Sequence, residues 1–143
     1  MEIIRDHLHD ADPDARRVLL RVERLVLAKR RWRGTAEDGR EFGFDLDHPL
    51  ANGDAFCRGD TAVYVIQQKA ESVLEIAVGS EPASAARLGW IIGNLHFSLA
   101  IEGGVLRVPD DPALRQLFER EGIPFASGEA VFRPLGGGQS HSH

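Results

Sequence analysis

The sequence predicts an α+β chain: a small all-β module, then a β-α-β-β-α-β domain, then a flexible histidine-bearing tail. Three observations lead there. Up to about residue 70 the apolar residues come in short runs bounded by Gly, Asp and Asn, which is how short strands read. Beyond it, strand-like runs alternate with stretches carrying helix start and stop signals. From residue 136 the chain contains only Gly, Gln, Ser and His, too polar and glycine-rich to order alone. The expected boundaries are therefore 1–70, 71–135 and 136–143. With 143 residues, 43% apolar and 27% charged, the chain has material for one domain or two small ones and is not intrinsically disordered.

In the first module the strands are read at Val18-Leu19-Leu20, Leu25-Val26-Leu27, Trp32 to Thr35, Phe42-Gly43-Phe44 and Ala62 to Ile66. Asp38-Gly39 is the dipeptide a tight hairpin prefers, because Gly accepts positive φ without steric cost. Asn52-Gly53-Asp54 and Arg58-Gly59-Asp60 mark further turns. A small barrel or sandwich follows from these pieces.

In the second module Val73 to Val78 reads as a strand. Ser80 as N-cap, Glu81 at the positive end of the dipole and Pro82 in the first turn open a helix that runs from Ala83 to about Leu95, with Gly93-Asn94 as its stop. Two strands follow, His96 to Ile101 and Val105 to Val108, joined by Glu102-Gly103-Gly104. Asp110-Asp111-Pro112 opens a second helix with Leu114, Leu117 and Phe118 on one face. Gly122 closes it, placing Ile123 to pack back in a Schellman end. A last strand is read at Ala130 to Arg133. This order is the ferredoxin-like split βαβ.

Net charge is −5. Up to Ala70 there are 12 Lys/Arg against 13 Asp/Glu, and from Glu71 onward 5 against 9, so the second half repels phosphate backbones and attracts cations. The basic run Lys29-Arg30-Arg31-Trp32-Arg33 reads as a strand whose alternate residues face solvent, so no nucleic-acid partner is expected. No uncharged apolar run nears the ~18 residues that span a bilayer, and the start lacks a basic-then-apolar secretion pattern. A cytoplasmic protein without a membrane partner is expected.

The chemistry-bearing residues are few. Serine-nucleophile elbow, Walker A loop, dinucleotide fingerprint and His-Glu-x-x-His are all absent from the sequence, so no catalytic residues are assigned. A single cysteine, Cys57, rules out an all-thiolate metal site in one chain and reads as a buried small residue. Metal chemistry falls to histidine. His7 and His9 alternate near the N-terminus, able to pinch a metal and equally able to be a solvated pair, and His48 before Pro49 reads as loop. On a helix extended to His96, Ala85, Gly89 and Ile92 share its face, and the small residues admit another backbone. One imidazole cannot hold a transition metal alone. If a two-fold axis passes near His96, each copy faces its twin, and two tails add His141 and His143. The His-Ser-His end also reads as the remnant of a purification tag.

Gly89-Trp90-Ile91-Ile92-Gly93-Asn94-Leu95-His96, the element order around it, the preceding β module with Asp38-Gly39-Arg40-Glu41 and the histidine-bearing C-terminus together resemble the UreE family of urease accessory proteins. The resemblance spans essentially the whole chain. Its most specific part is Gly93-Asn94-x-His96, where the family usually has Gly-Asn-Arg-His and this chain has Leu95. It implies a homodimeric nickel metallochaperone with a peptide-binding N-terminal domain, Ni²⁺ between paired copies of His96, and His141 and His143 as further ligands. Partners implied are the urease accessory GTPase and the urease apoprotein assembly complex. The auxiliary His-x-His of some members is replaced by Asp110-Asp111-Pro112, where Asp111 matches an acidic family position.

Imidazole-only ligation with open positions permits exchange of Ni²⁺, with Zn²⁺ and Cu²⁺ also admitted by such donors. Affinity is expected to fall as pH drops through ~6.5, where protons compete for the ring nitrogens. The rival readings are a non-catalytic peptide-binding adaptor and an acylphosphatase-like hydrolase. The hydrolase lacks an Arg-bearing glycine loop after Val73 to Val78, where Gly79-Ser80-Glu81-Pro82 is acidic. An RNA-recognition module, which shares the topology, lacks its aromatics at Val105 to Val108.

Overall fold

The computed structural model describes residues 1–136. The chain is mixed α+β and separates into two compact units between Lys69 and Ala70.

The first unit holds β1 (Glu2–Ile4), β2 (Arg16–Val22), a single-turn helix α1 (Arg24–Leu27), β3 (Arg31–Thr35), β4 (Glu41–Asp45), β5 (Ala55–Arg58) and β6 (Ala62–Gln68). They form two three-stranded sheets, β1-β4-β3 and β2-β6-β5. Strand β2 buries Val18, Leu20 and Val22 while Arg17 and Arg21 face water, the period of two of a strand with one wet face. The central strand β6 instead buries the continuous run Val63 to Ile66. Side chains from both sheets meet in one core, with Phe42 against Phe56 edge-on at 5.0 Å and Trp32 stacked on Phe44 at 3.9 Å. The basic run behaves as expected of a strand: Arg31 and Arg33 are exposed around buried Trp32.

The Asp38-Gly39 hairpin forms with a longer loop than the minimal one. Ala36 N donates to Arg40 O and Gly39 N to Ala36 O, both at 2.9 Å, with Gly39 at φ +92°. This is a type I turn followed by a left-handed residue. Leu25-Val26-Leu27 is helical rather than extended. A run of three apolar residues carries no period, and the Glu23 carbonyl accepts from both Val26 N and Leu27 N to close a helical turn.

The second unit runs β7 (Glu71–Ala77), α2 (Pro82–Asn94), β8 (Ala100–Glu102), β9 (Val105–Pro109), α3 (Pro112–Arg120) and β10 (Ala126–Ala130). Its antiparallel sheet has the order β10-β7-β9-β8. Leu74 and Ile76 of β7 and Leu106 and Val108 of β9 pack with Ile92 of α2 and with Leu114, Leu117 and Phe118 of α3. Gly103 and Gly104, at φ +55° and +79°, make the two-residue turn between β8 and β9.

Helix α3 starts and stops as its sequence predicts. Asp111 Oδ1 accepts from Ala113 N at 2.8 Å at the N-cap. At the other end Ile123 N donates to Phe118 O at 2.8 Å and Gly122, at φ +67°, donates to Glu119 O at 3.3 Å, which is the Schellman pair. Helix α2 starts one residue later than predicted: Glu81, not Ser80, is the N-cap, and its side chain makes no capping hydrogen bond. The last strand is β10, four residues before the predicted Ala130 to Arg133. As an edge strand bonded only to β7 it tolerates Ser127, Gly128 and Glu129. Phe132 beyond it covers the sheet face opposite the helices, beside Val73 and Ala100.

Candidate functional site

The segment between α2 and β8 departs most from its sequence reading, and it carries His96. The predicted strand from His96 shrinks to Ala100–Glu102, and the helix does not extend to His96 but ends at Asn94. Two hydrogen bonds terminate it: His96 N donates to Gly93 O at 2.9 Å and Phe97 N to Ile92 O at 3.3 Å. This is the same pair that closes α3, with His96 standing where Gly122 stands there. His96 adopts φ +64°, alone in the left-handed region among the described non-glycine residues. A Cβ in that region costs roughly 1–2 kcal/mol, and His is one of the side chains found there more often than most.

The ring that this backbone presents is exposed. Ile92, predicted to share its face, is instead fully buried in the core. Around it in sequence lie large apolar side chains open to solvent: Trp90 is 68% exposed, Leu95 47% and Ile101, on β8, 55%. A Cβ added at Gly89 or Gly93 would meet no atom within 4 Å, so the helix surface there is unobstructed. On the sheet face opposite the helices Arg107 donates to the carboxylates of Glu75 and Glu102, both at 2.7 Å.

His141 and His143 lie outside the described residues. Among the described residues His96 joins no cluster of metal-ligating side chains; the group that forms is Asp6, His7 and His9. Asp6 Oδ2 lies 2.9 Å from His9 Nε2 and Oδ1 lies 3.1 Å from His7 Nδ1. The hydrogen bond from the His9 ring, then that from the His7 amide, holds the Asp6 carboxyl below the ordinary carboxylate range. Asp6 was missed from sequence, where the two alternating histidines stand out and the acidic residue beside them does not. His48 is exposed in the loop after β4. Cys57 is buried in β5, where burial above all pushes its thiol up, which favours the neutral thiol.

Residues 71–143 match the family profile described as UreE urease accessory protein, C-terminal domain. The chain belongs to the UreE family. It is 34% identical to urease accessory protein UreE 1 of Brucella suis over 99% of its own length and 86% of that protein's. Against the urease accessory protein UreE of Nitrosococcus oceani it is also 34% identical, over 74% of this chain and 66% of the relative. The UreE of Ectopseudomonas mendocina is 32% identical over 80% of this chain and 73% of its own. UreE proteins are accessory to urease and are not themselves enzymes, so membership places this chain in urease maturation. No helix among the described residues is long and apolar enough to cross a membrane.

Proposed function

We propose that the protein is a carrier of Ni²⁺ for assembly of the urease active site, holding its cargo between the two His96 rings of a homodimer. The observation that carries the proposal is His96 itself: an exposed imidazole held in a left-handed conformation at a helix end where glycine would be at ease. Strain retained at an exposed position is best accounted for by a use for the side chain.

A single imidazole is too few donors for a transition metal. The exposed apolar side chains Trp90, Leu95 and Ile101 and the open glycine surface of α2 suit a protein neighbour on this unit. A second copy of the chain is the neighbour that also doubles the imidazoles. His141 and His143 of each tail then add donors, and water fills what remains, so the cargo is held by ligands that exchange. Cu²⁺ or Zn²⁺ would occupy the same donors, and supply decides for nickel. The β-α-β-β-α-β order and the antiparallel sheet of four strands support reading the second unit as ferredoxin-like. The first unit is then the peptide-binding module. The partners are the urease accessory GTPase that receives the ion and the urease apoprotein assembly complex, all in the cytoplasm.

Calorimetry with Ni²⁺ tests this on the full chain and on His96→Ala, with native mass of each. A dimer with one tight ion, lost in His96→Ala, is expected. Tight binding unchanged in His96→Ala, or a monomeric protein with a full metal site, overturns the proposal.

A further inference from the structure

We infer that Asp6, His7 and His9 form a second divalent-cation site, in the N-terminal unit and separate from the His96 centre. Each of the three offers one ligand atom, and these atoms lie within 4.8 Å of one another. The ring-to-carboxylate separations are of the size a shared ion needs, each ring facing a different oxygen of the one carboxyl group. With metal–ligand bonds of about 2.1 Å, adjacent donors of an octahedral ion stand ~3.0 Å apart. The Asp6 oxygens are 2.9 Å and 3.1 Å from the two ring nitrogens. The contacts now made between ring and carboxylate are those an ion would replace, each ring carrying its proton on the nitrogen turned away from the ion. The imidazoles are close, their centroids 4.3 Å apart and their planes inclined at 53°, so a small rotation of exposed rings brings the third edge to length.

The chain on either side is pinned, which lowers the ordering cost of binding. Before the cluster, Ile4 is buried in β1 and paired with Phe44. Within it, Leu8 N donates to Ala55 O at 2.7 Å. After it, Asp10 is ion-paired and hydrogen-bonded to Arg58 of β5. Backbone anchored at Ile4 and Leu8, with the Asp10 side chain paired to Arg58, limits the freedom of the ligands between them. Two imidazoles and one carboxylate select a first-row divalent cation such as Ni²⁺, Zn²⁺ or Cu²⁺ over Ca²⁺ or Mg²⁺, which take oxygen ligands. With Asp6 and His9 exposed and His7 half-buried, the remaining positions are open to water, so the ion is held in exchange with solvent.

The test removes the other donors first. Full-length protein carrying His96→Ala, His141→Ala and His143→Ala is titrated with Ni²⁺ alone, read by calorimetry and by paramagnetic broadening of backbone amide signals. The expected result is one ion per chain with broadening centred on residues 6–9, lost on adding His7→Ala and His9→Ala and weakened by Asp6→Asn, which keeps a hydrogen-bonding side chain. Far-UV circular dichroism and the thermal midpoint should be unchanged in these variants, since the three residues lie outside strands and helices. Absence of binding in the triple variant, broadening elsewhere, or binding that survives His7→Ala/His9→Ala overturns the inference. Because the His96 centre is already deleted, none of these outcomes depends on it.

Discussion

Replacing His96 by glycine should make the metal-free protein more stable while abolishing its tight metal site. Helices α2 and α3 end in the same pair of hydrogen bonds, one around His96 and the other around Gly122. A non-glycine residue in the left-handed region carries roughly 1–2 kcal/mol of steric cost, and glycine gives back part of that advantage, about 0.5–1 kcal/mol, through the greater freedom of its unfolded chain. Because the His96 ring is exposed, little burial is lost with it. The net expectation for His96→Gly is a gain of about 0.5–1 kcal/mol, or roughly 2–8 °C in the midpoint for a unit of this size. His96→Ala keeps the strain and should gain nothing. The reciprocal change, Gly122→Ala at φ +67°, should cost about 1 kcal/mol or more. Urea unfolding of the apo protein followed by circular dichroism gives the ranking, and Ni²⁺ calorimetry gives the binding. If His96→Gly is no more stable than His96→Ala, the strain argument fails. If His96→Gly keeps the tight site, the donor argument fails.

Other consequences are checked as simply. Asp111→Ala removes the side-chain acceptor from the start of α3 and should cost about 1 kcal/mol in urea unfolding. Trp90→Glu places a charge on an exposed apolar side chain and should shift native mass spectra of the proposed dimer toward monomer. The Asp38 carboxyl is held below its ordinary range, first by the Tyr64 hydroxyl donating at 2.6 Å and then by Arg40 N. The unfolded chain therefore takes up this proton at higher pH than the folded one, so the stabilisation is complete above the ordinary carboxylate value of ~3.9 and is lost as pH falls through the lower folded value. Asp38→Asn should flatten the decline of the urea midpoint with acidification, and an unaltered decline would assign it to other groups.

The elements that could be read from sequence are those whose signals are local. Asp111 and Gly122 bracket α3 because a cap needs only its own side chain and a Schellman end only its own φ, and Leu114, Leu117 and Phe118 are buried as their spacing requires. What escaped was decided by distant partners. Ala130 to Arg133 reads as a strand because its apolar residues look like one, yet Phe132 is used to cover a sheet face, and the strand beside it is built from Ser, Gly and Glu that an edge tolerates. Gly93-Asn94 does mark the end of α2, whose last residue is Asn94, but the left-handed residue that closes it is His96 and not a glycine. For the candidate centre, sequence singled out His96 and missed that its backbone is the unusual feature, since φ at a non-glycine residue has no compositional mark.

That backbone bears on how a cargo ion could be both held and passed on. A histidine inside a helix or strand shares its element's rigidity, and moving it means breaking a ladder of hydrogen bonds. His96 sits two residues beyond Asn94, the last residue of α2, within the pair of hydrogen bonds that closes the helix, in a conformation about 1–2 kcal/mol above the alternatives open to a residue with a Cβ, before three irregular residues that lead to β8 at Ala100. The core behind it does not depend on the ring, since Ile92 and Phe118 are fully buried, so in the proposed centre the ring can shift as an ion enters or leaves at little cost to the packing.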